Sequence, residues 1–332
     1  MTIATKPLVS VLCVTARLGG IDVLADGLLH QGFQDYELVL VDCLYPWRGE
    51  AVQEYLEFCL GKDKVKVIPP DPYKFPLDAI PSCRNTALRH ASGDIILWWV
   101  DYTWAPPWCL EDHLRAVDAH GSSMGVHVYC VLPAIAPAFP SALTTPEYAA
   151  FVKTEMAQRF WISLSEDHGV WGKYGVWGKF GILKSYCPWK PGVDTSKEIK
   201  ANAFGMYLPE PRVDEDPGIG KDPKRDLLQG YQLGDYFHAK NEAFPKPLQE
   251  KAGYFLEELD GGHCYDDLDM GQRLGAAAVG GKLWVDPNNK VYILNPRPFF
   301  PHLQWVRSVE DNFNLWHQIR GRQVPVERIE VD

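Results

Sequence analysis

Apolar runs of strand length alternate with helix-length segments over residues 9–100 of this chain. The pattern predicts strands at residues 9–14, 36–41, 65–68 and 95–100, and helices at residues 18–29, 49–60 and 82–91. Runs that are apolar at successive positions are typical of strands buried on both faces. The alternation therefore predicts an α/β fold, with a Rossmann-like, mainly parallel sheet that is covered by helices on both faces.

The regular pattern breaks down in the middle of the chain and returns near residue 237. Residues 140–235, approximately, are rich in Pro, Gly, Trp and Lys, which favours an irregular insertion over a second hydrophobic domain. Beyond the insertion, the sequence predicts an ordered segment at 237–243, a loop at 260–262, a helix at about 267–278 and a strand at 283–294. The C-terminal residues are predicted to be helical in part.

Residues that could contact a ligand follow three of the predicted strands. Thr15, Ala16 and Arg17 come after the first strand, Asp42 after the second and Asp101 after the fourth. In open α/β sheets, ligands bind in the crevice beyond the carboxyl ends of the strands. These five residues are therefore candidates for a ligand-binding site.

Composition and charge narrow the range of partners. The 332 residues are 46% hydrophobic and 23% charged, as in globular proteins. A net charge of −10 gives the molecule as a whole no general attraction for nucleic acid or anionic membranes, although a local basic patch could reverse that sign. The eight cysteines form no CxxC pair, which favours free thiols over a zinc site.

No segment has the pattern of a signal peptide or a membrane span. The N-terminal apolar run lacks the longer apolar stretch and the small-residue cleavage site of a signal peptide. The longest apolar stretch, residues 126–143, contains three prolines and cannot form an uninterrupted helix of about 20 apolar residues. We predict a cytoplasmic protein without a transmembrane segment.

Three blocks of the chain carry motifs in a specific order. Residues 7–42 lead from a strand through a Thr-containing loop and a helix to a strand that ends in Asp. Residues 80–114 contain an Arg-Asn helix, an Ala-x-Gly-Asp turn, and an apolar strand that ends in Asp-Tyr-Thr. Residues 236–274 contain an acidic pair followed at fixed spacing by Arg-Leu. In order and spacing, these blocks resemble the family 2 glycosyltransferases of the GT-A fold.

The resemblance assigns catalysis to the acidic pair. Asp267 matches the catalytic base, Asp266 matches the acidic neighbour that binds acceptor hydroxyls, and Asp269 is expected to be structural. A like-charged neighbour tends to raise the pKa of a carboxylate, which helps it to accept a proton near neutral pH. One base without a covalent nucleophile implies single displacement with inversion. Without the flanking motif, the pair would be interpreted as acids that complement a helix dipole.

The resemblance also implies a nucleotide-diphosphate sugar as donor, with uridine as the expected base. The donor-binding candidates are Thr15, Ala16, Arg17, Asp42, Arg84, Asn85 and Asp101. Asp42 suits hydrogen bonding to the base, and Arg84 would place a planar positive charge beside the diphosphate. The alternative interpretations are a turn-forming Asp42 and an Arg84 in a surface salt bridge.

The motif that usually holds a divalent ion in this family is incomplete. It reads Asp101-Tyr102-Thr103, so a hydroxyl replaces the second carboxylate. The distal His that often follows the last strand is also absent, and Asn295 stands there. The resemblance therefore implies a weakly bound Mn²⁺ or Mg²⁺, with Asp101 and Thr103 as ligands and with phosphate and water completing the coordination.

A tandem repeat in the predicted insertion is a candidate acceptor surface. Residues 170–175 and 176–181 repeat the pattern Val-Trp-Gly-Lys-aromatic-Gly, and residues 170–200 hold six Lys against two acids. The acceptor-binding candidates are Trp171, Lys173, Trp177, Lys179 and Asn241. The rings could stack on a sugar or base while the Lys side chains track phosphates, or they could simply pack the insertion onto the sheet. The acceptor is then a saccharide, or a hydroxylated group on a polyanion such as a modified DNA base.

These features together predict one integrated domain. Residues 1–120 would be a nucleotide-sugar-binding half, residues 121–300 an acceptor-binding and catalytic half, and residues 301–332 a C-terminal extension. The alternative is a noncatalytic nucleotide-sugar or carbohydrate-binding protein of the same fold, which the incomplete metal motif would permit. A dehydrogenase is less well supported, because Thr-Ala-Arg-Leu-Gly-Gly follows the first strand in place of GxGxxG.

Overall fold

The computed structural model describes residues 7–15, 21–71, 79–101, 103–132, 230–232, 234, 237–262, 265–296 and 309–323. Their strands are β1 (Val9–Thr15), β2 (Tyr36–Asp42), β3 (Val65–Ile68), β4 (Ile95–Trp99), β5 (Thr103–Trp104), β6 (Ser123–Leu132), β7 (Gly230–Gln232), β8 (Asn241–Pro245) and β9 (Leu283–Pro296). Their α-helices are α1 (Ile21–Leu29), α2 (Tyr45–Leu60), α3 (Ile80–His90), α4 (Cys109–His120), α5 (Lys246–Ala252), α6 (Asp266–Ala277) and α7 (Val309–Gln323).

The described strands form a single mixed sheet in the order β3-β2-β1-β4-β8-β6-β9-β5, with β7 also paired to β9. Strand β1 is parallel to β2 and β4, and β2 is parallel to β3. Strand β8 is antiparallel to both β4 and β6, whereas β6 and β9 are parallel. Six of the nine described strands therefore run in the same direction, and the prediction of an α/β fold with a mainly parallel sheet is confirmed.

Alternate side chains of the central strands contribute to two hydrophobic layers, one on each face of the sheet. Val11 and Cys13 of β1 and Trp99 of β4 pack in one layer with α1, α2 and α4. Leu12 of β1 and Trp98 of β4 pack in the other layer with α3, α5 and α6. Successive residues of a strand point to opposite faces. Because both faces are buried, β1 and β4 are apolar at successive positions.

Most predicted elements are present, with shifted ends. Helices α2 and α3 begin earlier than predicted, since Pro46 and Pro81 occupy their first turns, where a proline is well tolerated. The segment predicted at 237–243 is a strand only from Asn241, and a turn precedes it. Strand β6 carries no strand prediction, because its apolar residues continue into the proline-containing stretch after Leu132.

The C-terminal helix α7 adds a small hydrophobic cluster to the core. Its residues Trp316 and Ile319 pack against Leu259, near the start of α6. No helix in the described ranges is long and apolar enough to cross a membrane. Apart from β7 and residue 234, the predicted insertion lies outside the described residues.

Candidate functional site

Three polar residues meet at the carboxyl edge of β1, β2 and β4. Thr15 and Asp42 are register partners at the ends of β1 and β2. Asp101 follows β4, and its Oδ2 accepts a hydrogen bond of 2.9 Å from the Thr15 hydroxyl. The structure thus brings together three of the predicted donor-binding residues. Their contact with a donor stays a prediction.

Asp42 also shapes the loop that follows β2. Its Oδ1 accepts a hydrogen bond of 2.9 Å from the backbone N–H of Leu44, directly before α2. This is the turn-forming contact that an Asp side chain commonly makes with the backbone two residues on. The turn fixes the carboxylate of Asp42 at the sheet edge.

Asp101 lies in the connection between β4 and β5, and Thr103 is the first residue of β5. Both are buried, and Thr103 Oγ1 has no hydrogen-bond partner among the described residues. Among the residues that the structure describes, no group of three or more His, Cys, Asp or Glu side chains could hold a metal ion. One carboxylate and one hydroxyl fit a hard cation that takes its other ligands from phosphate and water.

A second group of charged residues connects α3 to the start of α6. Arg84 Nη1 lies 2.5 Å from Asp266 Oδ2 in a largely buried ion pair, and the guanidinium lies over the Phe255 ring at 5.1 Å from its centroid. Asp266 and Asp267 are the first two residues of α6, where the helix dipole favours negative charge. Arg84, predicted to bind the donor, and Asp266, predicted to bind the acceptor, are therefore direct neighbours.

Asp267 faces the turn formed by residues 238–241, just before β8. His238 Nδ1 lies 3.8 Å from Asp267 Oδ2, within ion-pair distance. Asp267 Oδ1 accepts a hydrogen bond of 2.9 Å from the backbone N–H of Leu268. The predicted base thus has one oxygen held by its own helix and the other beside an imidazole.

The register of the sheet places this turn next to the strand-end residues. Trp99 near the end of β4 pairs with Asn241 at the start of β8. Asp101 and the 238–241 turn therefore emerge at the same edge of the sheet. The predicted base, through its contact with the turn, belongs to this edge as well.

The two adjacent carboxylates have opposite pKa shifts. Burial and the charge of Asp267 raise the pKa of Asp266 to about 6, against the opposing effect of Arg84. Burial would also raise the pKa of Asp267, but His238, Arg84 and Lys240 outweigh it and the net shift is downward. The upward shift expected for the base is therefore found on Asp266 instead, because Asp267 has more positive charge around it.

Asp269 lies inside the protein and joins α6 to α7. Its carboxylate accepts hydrogen bonds from Arg273 Nε at 2.8 Å and from Trp316 Nε1 at 3.1 Å. Arg320 Nε lies 3.4 Å from the same carboxylate. These partners from α6 and α7 give the buried carboxylate of Asp269 a structural environment.

Asn85, a predicted donor-binding residue, has a buried side chain that is bonded within the protein, and its contact with a donor stays a prediction. Its Nδ2 donates to the Phe255 carbonyl at 2.9 Å and to Glu257 Oε1 at 3.0 Å. Its Oδ1 accepts from the backbone N–H of Phe255 at 2.7 Å. Asn85 therefore fastens α3 to the segment that leads into α6.

Asn241, a predicted acceptor-binding residue, is likewise bonded within the protein, and its contact with an acceptor stays a prediction. Its Oδ1 accepts hydrogen bonds from His113 at 2.8 Å and from Trp99 Nε1 at 3.3 Å, and its Nδ2 donates to the carbonyls of Val126 and Asn289. The residue is 0% exposed. Burial lowers the pKa of His113, so its neutral ring suits this internal network.

The other predicted site residues lie outside the described residues, and their roles stay predictions. They are Ala16, Arg17, Trp171, Lys173, Trp177 and Lys179.

Sequence reasoning missed His238 and Lys240, which both influence Asp267. A single His and a single Lys in a loop carry no spacing signal. Between them, Ala239 has a positive φ of 52°, and an Ala in a sequence does not predict this conformation. The one available signal was their place in the third motif block, shortly before the acidic pair.

The sheet topology is that of an α/β fold of the GT-A type, which the solved structure of GalNAc-T7 shares. GalNAc-T7 with UDP, GalNAc and Mn²⁺ superposes with a TM-score of 0.52 at 11% identity, over 95% of this chain and 48% of that one. TarS 1–349 from S. aureus gives 0.47 at 14% identity, over 86% and 60%. The mannosyltransferase PcManGT from Pyrobaculum calidifontis, with GDP-Man and Mn²⁺, gives 0.45 at 13%, over 90% and 59%.

These likenesses concern the fold, since the sequence identities are low. The chain spans about half to three fifths of the length of these solved chains. No family model and no curated protein matches the sequence.

Proposed function

We propose that this protein is an inverting glycosyltransferase, of the family 2 type, that moves a sugar from a nucleotide-diphosphate donor to an acceptor hydroxyl. The observation that carries the proposal is the meeting of Asp267, Asp266 and Arg84 at the sheet edge where Asp42 and Asp101 also lie. Sugar transfer requires a base for the acceptor and positive charge for the leaving diphosphate. This edge of the sheet provides both.

In the proposed reaction, Asp267 takes the proton of the acceptor hydroxyl while the hydroxyl oxygen bonds to the anomeric carbon. The bond from that carbon to the diphosphate oxygen breaks, and its electron pair stays on the diphosphate. Asp267 is ionised at neutral pH, as a base must be before it accepts a proton, although its lowered pKa makes it a weaker base than the sequence predicted. Arg84 provides positive charge next to the acidic pair.

We infer that the donor is a UDP-sugar and that a divalent cation accompanies it. Asp101 and Thr103 are the residues that would hold Mn²⁺ or Mg²⁺ at the sheet edge. When bound, the ion would neutralise charge on the leaving diphosphate. The structure of GalNAc-T7, which has the same fold, contains UDP and Mn²⁺.

We further infer that the acceptor is a saccharide or a hydroxylated group on a polyanion such as a modified DNA base. The support is the sequence of residues 170–200, with six Lys among aromatic residues. A polyanionic acceptor would make transfer fall steeply with added salt, because condensed counterions are released on binding. A neutral saccharide would show little salt dependence.

The test is release of nucleoside diphosphate from a panel of UDP-sugars and GDP-sugars, with and without acceptors. The parent protein should release the diphosphate slowly even without acceptor, and Asp267→Asn should not. Asp118→Asn, an exposed acid on α4, is the matched control and should behave as the parent. A parent that binds a nucleotide sugar but releases nothing would instead be the noncatalytic binding protein.

A further inference from the structure

The turn formed by residues 238–241, called the His238 turn below, is folded around a buried carboxylate. Glu242 Oε2 accepts hydrogen bonds from the backbone N–H of Lys240 at 2.6 Å and of Asn241 at 3.0 Å. Glu242 Oε1 accepts from the backbone N–H of His238 at 3.3 Å. Hydrogen bonds to a charged acceptor are stronger than those to a neutral one. Three of them converge on a carboxylate that is 0% exposed.

The backbone of the His238 turn has a conformation that its sequence does not favour. Ala239 has a positive φ of 52°, where residues other than Gly, Asn and Asp are uncommon. Such a conformation is strained and persists only where the surroundings impose it. The bonds to Glu242 supply that constraint, since they hold the backbone on both sides of Ala239.

The His238 turn brings an imidazole to the predicted base. His238 Nδ1 lies 3.8 Å from Asp267 Oδ2, and the ring of His127 in β6 packs edge-on against His238 with centroids 5.4 Å apart. The other oxygen of Asp267 is bonded to the backbone of Leu268. One oxygen of Asp267 is thus bonded to the helix, and the other has the imidazole of His238 at ion-pair distance.

We propose that His238 is a positioning residue for Asp267, and that Glu242 acts through the His238 turn to place it. The inference rests on the function proposed above. With Nδ1 protonated, His238 orients Oδ2 of Asp267 toward the acceptor hydroxyl, and the acceptor proton goes to Asp267. A misplacement of about 1 Å can cost about 100-fold in rate, so the turn has a measurable effect on turnover.

The charged groups that face Asp267 come from α3, the His238 turn and α6. They are Arg84, His238 and Lys240, which favour the ionised carboxylate, and Asp266, whose like charge opposes it. Removal of His238 takes away one favourable partner, so the pKa of Asp267 should rise. A residue that only fills space would leave this pKa unchanged.

The kinetic test compares His238→Ala and His238→Asn with His90→Ala, an exposed histidine on α3 that serves as the control. We expect His238→Ala to lower kcat about 10- to 100-fold, the usual effect of losing a group that orients a functional side chain. The KM for the donor should change little, and the acid limb of the pH–rate profile should move to higher pH. His238→Asn keeps an N–H donor and should recover most of kcat.

A second measurement does not depend on activity. The carboxyl carbon of Asp267, assigned by its loss in Asp267→Asn, can be titrated by NMR in the parent and in His238→Ala. The proposal expects a higher pKa in the variant. An unchanged pKa, or a variant with the kcat and pH profile of the parent, overturns the proposal. If the parent neither transfers a sugar nor releases nucleoside diphosphate, the proposed function fails. The titration still decides whether His238 acts on Asp267.

The role of Glu242 is tested by combining substitutions. Glu242→Gln replaces one acceptor oxygen by an N–H₂ group that cannot accept the backbone bonds. If Glu242 acts through His238, the double variant His238→Ala/Glu242→Gln should lose no more kcat than the more impaired single variant. If the fold losses in kcat of the two single variants multiply in the double variant, this part of the proposal is overturned. Should Glu242→Gln fail to fold, the His238 variants decide the main proposal alone.

Discussion

Three carboxylates in the first turn of α6 differ in what they contact. Asp266 pairs with Arg84, Asp267 faces His238, and Asp269 is bonded inside the protein to Trp316. Each contact gives its carboxylate a different environment for a proton and a different access to ligands. The same substitution, Asp to Asn, should therefore have three distinguishable outcomes.

Asp267→Asn should lower turnover about 10²- to 10⁴-fold, because Asn keeps the shape of the side chain but is far too weak a base. Its donor affinity and melting temperature should stay close to those of the parent. Asp266→Asn should mainly weaken acceptor binding, and Asp269→Asn should mainly lower the melting temperature, since Arg273 loses a charged partner.

Steady-state kinetics and thermal denaturation of the three variants check these expectations. A normal rate for Asp267→Asn would remove its assignment as the base. If the rate loss came with a large fall in melting temperature, Asp267 would instead be a structural residue at the helix N-terminus.

At the scale of residues, the sequence indicates the acidic pair but not its partners. A pair of acids between a Gly-Gly loop and a helix is visible as a motif. Arg84 is 182 positions away from Asp266, so only the tertiary fold shows that the two side chains meet. The internal hydrogen bonds of Asn85 are equally invisible in the sequence, because a polar residue within a motif has the same appearance whether or not packing buries it.

Helix α3 holds Arg84 in place because it is bonded to the segment before α6 on both sides of that residue. Asp260 accepts hydrogen bonds from the backbone N–H of Ser82 at 3.1 Å and from its hydroxyl. Asn85 is bonded to the backbone of Phe255 and to Glu257. These contacts place α3 beside the start of α6, which explains the ion pair between them.

Asn85→Ala should lower the free energy of unfolding by about 1–3 kcal/mol for each buried group that is left unpaired, foremost the backbone N–H of Phe255. Denaturant unfolding measures this loss. Asn288→Ala, an exposed Asn on β9, is the matched control and should be close to neutral. If Asn85→Ala were as stable as the parent but bound the donor weakly, the structural role would be contradicted and the predicted donor-binding role supported.

Glu37 of β2 connects strands on both sides of it. Its carboxylate accepts hydrogen bonds from Ser10 of β1 at 2.6 Å and from the backbone and hydroxyl of Ser92, and it pairs with Lys66 of β3 at 2.6 Å. Burial alone would raise the pKa of Glu37, but these partners outweigh burial and lower it. The unfolded chain therefore binds the proton more readily than the folded one.

The stabilisation from Glu37 should be complete above the ordinary Glu pKa of about 4.3 and should disappear as the pH falls through the lower folded value. Glu37→Gln should thus cost about 1–3 kcal/mol of unfolding free energy at neutral pH, and the difference from the parent should shrink in acid. Urea unfolding at several pH values tests this, with exposed Glu50→Gln as control. A difference that is the same at every pH would contradict the role of the charge.

At the scale of elements, apolar periodicity is a good guide wherever both faces of a strand are buried. Strand β3 occupies the predicted residues 65–68, and β1, β2 and β4 are within a residue of the prediction at each end. Strand β6 was not predicted, because its apolar run leads without a break into proline-rich sequence. The 238–241 turn was not predicted, because its shape depends on hydrogen bonds to Glu242, a buried carboxylate.

The molecule as a whole gathers its polar strand ends at one edge because β1, β2 and β4 are parallel. Donor and metal would therefore bind as neighbours there, next to Asp101. The described residues offer the ion one carboxylate and one hydroxyl, so most of its ligands would have to come from the diphosphate and water. Each ligand should then increase the affinity for the other by the same factor.

This linkage predicts how ligands stabilise the folded protein. Mn²⁺ alone should raise the melting temperature little, whereas UDP at 100 times its dissociation constant should stabilise by about 2.7 kcal/mol, and Mn²⁺ should strengthen the effect of a fixed UDP concentration. Thermal denaturation with Mn²⁺, UDP, both and a chelator tests this. Asp101→Asn should remove the added effect of Mn²⁺, because the ion loses its one charged protein ligand, while a shift from UDP alone should remain. Stoichiometric Mn²⁺ that survives dialysis against chelator without any nucleotide would contradict the linkage, since it would require a complete set of protein ligands.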